Sequence, residues 1–264
     1  MARPVNTLVC VKRVPDASSE VVLTSDGLAV DGRYVGYTIS NHEGCAIELA
    51  VQIAAATGGA ATALTLGPDA ATDQLRSALS LGCVAAVHVV ADAGAFGPTD
   101  VAAEIAAVVA DHAAAGRSYD LILLGNDAAD TGDFQVGIRL SYLLGRPVAA
   151  GIKTAVADES GEGVTASGDG PDGVDTYRLP TPAILTVLEG GVEPRYPTVA
   201  GRMRAKRVEI ETRAPATTPT GPHRLKLALP AAAANTAQVL AEGQDAAAAA
   251  AAVVALLREL GVAR

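Results

Sequence analysis

The chain has 264 residues, half of them hydrophobic, and a formal net charge of −9. That is enough apolar material for one large α/β domain, or for a domain and a tail. The acidic balance argues against a general nucleic-acid binder and against docking on an anionic membrane.

In chain order, Leu8–Val11 is a short apolar run that ends at charge and Pro15, the pattern of a buried strand. Val21–Val35 alternates and carries turn signals at Asp26-Gly27 and Asp31-Gly32, which predicts a β-hairpin excursion. Over Glu43–Ala56, Ile47, Ala50, Val51 and Ala54 recur at helical spacing until Gly58-Gly59. Ala61–Leu66 is a second strand. Asp69 then caps a helix that presents Ala71, Leu75, Ala78 and Leu79 and stops at Gly82. Val84–Val90, a helix over Pro98–Ala113 and Asp120–Leu124 follow. A fourth helix is expected from about Asp133 to Leu144, ended by Gly145-Arg146-Pro147. Strands alternating with helices of this length predict a mostly parallel sheet with right-handed crossovers.

Beyond Pro147 the style changes. Val148–Thr154, Val164–Ser167, Val174–Leu179 and Ile184–Leu188 read as strands, with Gly161–Asp172 as exposed hairpin loops. Ala214–Pro222 reads as a linker. A last helix starts at Asp245, stops at Gly261 and carries Val253, Val254, Leu256, Leu257 and Leu260 behind an Ala run. The expected organisation is therefore a domain over 1–211 and an arm over 212–264, which docks on a partner or, alternatively, packs on its own domain.

The three cysteines, Cys10, Cys45 and Cys83, are widely spaced and contain no CxxC pair, so they suggest neither disulfides nor zinc and suit a reducing cytoplasm. No run reads as a membrane span, and Met1-Ala2-Arg3-Pro4 lacks a signal peptide's layout. His88, His112 and His223 have no metal-like spacing. The sequence shows no Ser-His-Asp layout, HExxH or GxxxxGK[ST], so no catalytic residue is assigned.

A phosphate site in an open α/β sheet belongs beyond the carboxyl ends of strands, at helix starts. The loop from Gly125 to Asp133, entering a helix through Phe134-Gln135-Val136-Gly137, sits at such a place. Backbone amides there could hold a phosphate, Gln135 offers a neutral donor, and Gly125 and Gly137 permit close approach. Asp127, Asp130 and Asp133 would repel a phosphate unless they face away. Lys12 and Arg13 either favour phosphate or are solvated strand-end charges. Between Val192 and Arg207, Arg195, Arg202, Arg204, Lys206 and Arg207 outnumber Glu193. Such a stripe speeds encounter with an acidic partner, or is simply a solvated face.

Four segments resemble the β subunit of electron-transfer flavoproteins: Val11-Lys12-Arg13-Val14-Pro15-Asp16; Ala46-Ile47-Glu48-Leu49-Ala50; Leu66-Gly67-Pro68 with Arg76 to Gly82; and Glu193-Pro194-Arg195-Tyr196-Pro197-Thr198 with Met203-Arg204-Ala205-Lys206. The resemblance implies an α/β fold of the adenine-nucleotide alpha hydrolase (Rossmann-like) type, with AMP or a second FAD in this chain. It implies a heterodimer whose α subunit holds most of the electron-carrying FAD, fed by flavin dehydrogenases of the acyl-CoA dehydrogenase type. By family position the nucleotide would be surrounded by Cys10; by Ser40, Asn41, His42 and Glu43; by Leu66; and by Gly125, Asn126, Asp127, Ala128, Ala129, Asp130, Thr131, Gly132, Asp133, Phe134, Gln135 and Val136. Glu193, Arg195, Tyr196, Val199 and Arg202 would form a recognition loop, with Val199 as the apolar plug. Ser40-Asn41-His42 stands where the family has Asn-Pro-aromatic, and Phe134-Gln135-Val136 where the AMP-type loop has Asn-Gln-Thr, which leaves AMP against FAD open. A regulatory module like the universal stress proteins is a second reading, against which the Glu193–Tyr196 loop argues. An adenylating enzyme should show a Ser-Gly-Gly-type loop where this chain has Lys12–Asp16.

Overall fold

The computed structural model describes residues 3–16, 18, 20–222, 224–230, 239–240 and 245–262. Two units are compact by themselves, residues 1–227 and 228–264. In chain order the first unit contains β1 (Thr7–Cys10), β2 (Val14–Pro15), β3 (Tyr37–Thr38), α1 (Asn41–Thr57), β4 (Ala61–Gly67), α2 (Thr72–Leu81) and β5 (Ala85–Val90). There follow α3 (Pro98–Ala114), β6 (Leu121–Gly125), α4 (Val136–Leu144), β7 (Val148–Ala157), β8 (Gly163–Gly170), β9 (Gly173–Pro180), β10 (Ala183–Val187), α5 (Val199–Arg207) and β11 (Ile210–Arg213).

Nine of the strands form one sheet in the order β11-β5-β4-β1-β6-β10-β7-β8-β9. The pairs from β11 to β7 are parallel, and β8 and β9 extend the sheet antiparallel. β1 is buried at every residue because helices cover both of its faces. Val9, Leu121, Leu123 and Leu185 pack with α1 and α2, whereas Leu8, Ile122, Leu124 and Ile184 pack with α3 and α4. This is the expected mostly parallel α/β architecture.

Several local expectations change. The Val21–Val35 excursion makes only one antiparallel bridge, Leu23 to Val30, and the paired strands lie at its base as β2 and β3. Thr24 and Asp26 take the amides of Ala29 and Leu28 on their side chains, in competition with a ladder. Asp69 does not cap α2; it opens a 3₁₀ turn, Asp69–Ala71, that leads into the helix. The stretch expected as loops over Gly161–Asp172 is mostly strand β8, paired residue for residue with β9. α4 starts at Val136 rather than near Asp133, because the Asp133 carbonyl accepts the Ala128 amide and closes the preceding loop at 3.2 Å.

The first unit also continues past the expected boundary at 211. β11 pairs with β5, and buried His112 on α3 sits between the Tyr119 hydroxyl (2.7 Å) and Glu211 of β11 (3.0 Å). The segment expected as a linker is held by buried carboxylates of α3, as set out below. In the second unit, α6 (Ala246–Glu259) has the expected Asp245 cap, whose side chain accepts the Ala248 amide at 2.8 Å. His223 and parts of the expected arm, 231–238, 241–244 and 263–264, lie outside the described residues. Among the described residues no helix is long and apolar enough to cross a membrane, and no cluster of three His, Cys, Asp or Glu side chains is placed to hold a metal.

Candidate functional site

β1 is followed by α1 on one face of the sheet, and its neighbour β6 is followed by α4 on the other. The connections leave in opposite directions and open a crevice at the carboxyl ends of the strands, the usual ligand position in such sheets. A cleft of about 650 Å³ lies there, within the range of small-ligand sites. Cys10, Leu66 and Gly125 reach it from strand ends, Val101 and Ile105 from α3, and Val136 and Gly137 from the first turn of α4.

The floor is built around Glu43. Ser40 caps α1: its hydroxyl accepts the Glu43 amide (3.2 Å), while the Glu43 carboxylate accepts the Ser40 amide (3.0 Å) and hydroxyl (2.9 Å). The same carboxylate accepts the Lys12 amide at 2.6 Å, which ties the helix start to the end of β1. Burial raises the Glu43 carboxyl to about 7, against the pull of the Ser40 and Lys12 donors. Burial, and then the nearby Glu43, push the Cys10 thiol well above its ordinary value.

The loop after β6 folds on itself. Thr131 and Gly132 amides donate to the Ala128 carbonyl, and the Asn126 side-chain oxygen accepts from Thr186 of β10 at 2.7 Å. Its three acids each have a neighbour. Asp130 pairs with Lys12 at 2.6 Å, and Asp133 accepts the Thr131 hydroxyl at 2.6 Å. Asp127 lies 2.6 Å from His42, off line for a hydrogen bond, so that the buried oxygen has no hydrogen-bond partner among the described residues. The expected charge conflict with a phosphate is thereby reduced at Asp130, the one of the three that has a lysine beside it.

Of the residues expected around a nucleotide, Cys10, Glu43, Leu66, Gly125, Asn126, Asp127, Ala128, Asp130, Thr131, Asp133 and Val136 line the cleft. Ser40, Asn41, His42, Ala129, Gly132, Phe134 and Gln135 do not. Ser40 is occupied as the cap. Phe134 is 60% exposed, and Gln135, expected as a donor, accepts from Arg139 at 2.7 Å instead. Gly137 is needed less for a ligand than for packing: a Cβ there would lie 2.4 Å from Thr186 Cγ2.

The residues present fit an adenine nucleotide. The α4 start has no side-chain cap, so the amides of its first turn remain open, as an anion requires. Leu66, Phe96, Val101 and Ile105 supply apolar surface suited to a flat base. Several lining residues escape a reading of the sequence: Tyr37, Phe96 and Gly97, and Pro222, Arg224 and Leu227 from the segment after β11. The detectable signal for that segment was a pair of acids, Asp100 and Glu104, one turn apart beside the apolar stripe of α3. Both are buried.

The expected recognition loop is an extended stretch that runs into α5. Thr198 caps the helix and Val199 is its first residue. Tyr196 is 93% exposed and Val199 80% exposed; Glu193 and Arg202 are exposed as well. Arg195 differs. It forks onto buried Glu48 of α1, with Nη2 at 2.6 Å and Nε at 2.7 Å, so it anchors the loop rather than projecting from it. Arg204 donates to the Leu79 carbonyl at 3.1 Å. Arg202, Lys206 and Arg207 form no ion pair among the described residues.

A doubly wound, mostly parallel α/β protein with a nucleotide-sized cleft at its switch point is the class these features define. The model of the electron transfer flavoprotein domain matches residues 27–218. The electron transfer flavoprotein subunit beta of Bacillus subtilis (strain 168) is 32% identical over 206 residues, covering 78% of this chain and 77% of the relative. That of Syntrophomonas wolfei is 31% identical over 228 residues, covering 84% and 85%. The acryloyl-CoA reductase electron transfer subunit gamma of Anaerotignum propionicum is 33% identical over 200 residues, covering 74% and 72%. The chain belongs to the electron transfer flavoprotein beta subunit family, and its role is in electron transfer.

Proposed function

We propose that this chain is the nucleotide-holding subunit of a heterodimeric electron carrier, that it binds AMP or a second FAD in the cleft, and that an α subunit holds the remaining FAD. The observation that carries the reading is the cleft itself, with open amides of α4 and apolar walls of β4 and α3 converging at the switch point. FAD, when bound, supplies the redox chemistry. The residues of this chain would bind and orient it: the Val136 and Gly137 amides would hold a phosphate, and Leu66, Val101 and Ile105 would exclude water from the base. Glu43 holds the β1 and α1 ends in register beneath them.

Electrons arrive from flavin dehydrogenases of the acyl-CoA dehydrogenase type, which dock on Tyr196 and Val199, with Arg202 and Lys206 speeding the encounter, and they leave to a downstream acceptor. A cytoplasmic setting is supported by three free, buried cysteines. The test is to express the chain with its α subunit and mix the heterodimer with substrate and an acyl-CoA dehydrogenase. The flavin spectrum of the heterodimer should bleach in step with substrate oxidation. A flavin spectrum that is unchanged with every flavin dehydrogenase of the host would refute the assigned donors.

A further inference from the structure

Residues 216–222 and 224–227 run from α3 to the tip of the 21–35 excursion. At one end the amides of Ala216 and Thr217 donate to Glu104 (both 2.8 Å), and those of Thr220 and Gly221 donate to Asp100 (2.9 and 3.1 Å). Hydrogen bonds from Thr220 first, then those from Gly97 and Gly221, hold the Asp100 carboxyl down to about 2, so it is charged across the ordinary pH range. At the other end Leu227 donates its amide to the Gly27 carbonyl at 2.8 Å, and Arg224 donates Nη1 to the Leu28 carbonyl at 2.8 Å. The segment is thus a strap fastened on both sides, and its Pro222, Arg224 and Leu227 line the cleft.

The cations along this rim are not equivalent. Lys12 is neutralised by Asp130. The Arg13 guanidinium stacks 3.3 Å from the Tyr37 ring centroid, which fixes its plane but leaves its charge. Arg224 is half-buried and bonds one carbonyl. Neither arginine has a carboxylate partner among the described residues, and a guanidinium carries five donors in a fixed fork. At the rim of the cleft these two guanidiniums, with no carboxylate beside them, leave N–H donors free for an anion.

We propose that Arg224, carried by the strap and assisted by Arg13, binds the phosphate of the nucleotide, so that the ligand holds the strap in place. This rests on the nucleotide reading above and adds the residue and the segment that respond to the phosphate.

The test uses the full chain freed of nucleotide, titrated with AMP and with adenosine. Arg224→Gln should weaken AMP about tenfold, the loss of one charge-assisted contact, and leave adenosine unchanged. AMP should also slow amide exchange across 216–222 and 224–227 in the wild type. Asp100→Asn, which loosens the strap without touching a rim cation, should lose that protection. Arg224→Gln that binds AMP as tightly as the wild type, or strap exchange indifferent to AMP, overturns the proposal while the nucleotide reading stands. A wild-type chain that binds FAD instead must show the same loss with FAD. Binding of neither nucleotide by the wild type would remove both readings.

Discussion

Replacing Arg195 by alanine leaves the Glu48 carboxylate, 5% exposed on α1, with Gln52 (2.7 Å) and a backbone amide as its remaining donors. Two charge-assisted bonds at 2.6 and 2.7 Å disappear. Each is nominally worth roughly 1.5–3 kcal/mol, but the arginine is 44% exposed, so solvent competes for it. A net loss of about 2 kcal/mol follows, and for a chain of this size that lowers Tm by roughly 4–8 °C. Burial pushes the Glu48 carboxyl up, but the Arg195 and Gln52 side chains and the Arg195 amide more than offset it, and the carboxyl lies below its ordinary value. Its stabilising contribution is therefore present above the unfolded value of about 4.3 and is lost as pH falls through the native one. In the variant the burial remains without the arginine, so its deficit should be largest at neutral pH and should shrink on acidification. The assay is urea unfolding of wild type, Arg195→Ala, Glu48→Gln and the double variant, at neutral and acid pH. A coupling energy within about 0.3 kcal/mol of zero, or a deficit indifferent to pH, would refute the assignment of Arg195 as an anchor.

Three further outcomes are expected. Glu43 titrates near 7 when folded, so between about 4.3 and 7 the native state holds more protons than the unfolded one, and stability falls as pH rises. Glu43→Gln, which does not titrate and keeps one of the two oxygens that Ser40 and Lys12 use, should lack this slope, a difference on the order of 3–4 kcal/mol in unfolding free energy across the window. Gly137→Ala places a methyl 2.4 Å from Thr186 Cγ2. Because Thr186 is buried and bonded to Asn126 and Gly151, it cannot turn away, and the variant should lose about 1–3 kcal/mol and weaken nucleotide binding; unaltered Tm would contradict this packing. Val199→Asp, on an exposed first turn of α5, should block electron delivery from a dehydrogenase and leave nucleotide content and Tm unchanged; full transfer by that variant would remove the docking role.

What could be read from the sequence is what neighbours in the chain decide. Leu8–Val11, the Ile47-Ala50-Val51-Ala54 stripe and the Gly58 and Gly82 stops are local patterns, and they fall within a residue or two of the observed elements. The Ser40-x-x-Glu43 capping box was also in the letters, yet a turn assigned to a ligand obscured it. Harder to see were contacts across long separations. Arg195 reaches Glu48 over 147 residues, and Thr220 reaches Asp100 over 120. A charged stripe and a Pro-rich stretch look solvated until their partners are brought beside them. The helix after Gly125 starts late for a similar reason: Asp133 resembles a cap in sequence, but its carbonyl and carboxylate close the loop behind it. Apolar periodicity thus located the strand ends at which the cleft opens, while the acids that hold its rim needed the fold.

The central claim is that the switch-point cleft holds an adenine nucleotide. The most direct measurement is chromatography, with the visible spectrum, of what the chain and its α subunit release on denaturation. One FAD with one AMP per heterodimer, or two FAD, is the predicted result, and the two distinguish a one-flavin carrier from one with a second flavin in this chain. FAD alone at one per heterodimer, with no adenine nucleotide lost on Gly137→Ala, would contradict the account.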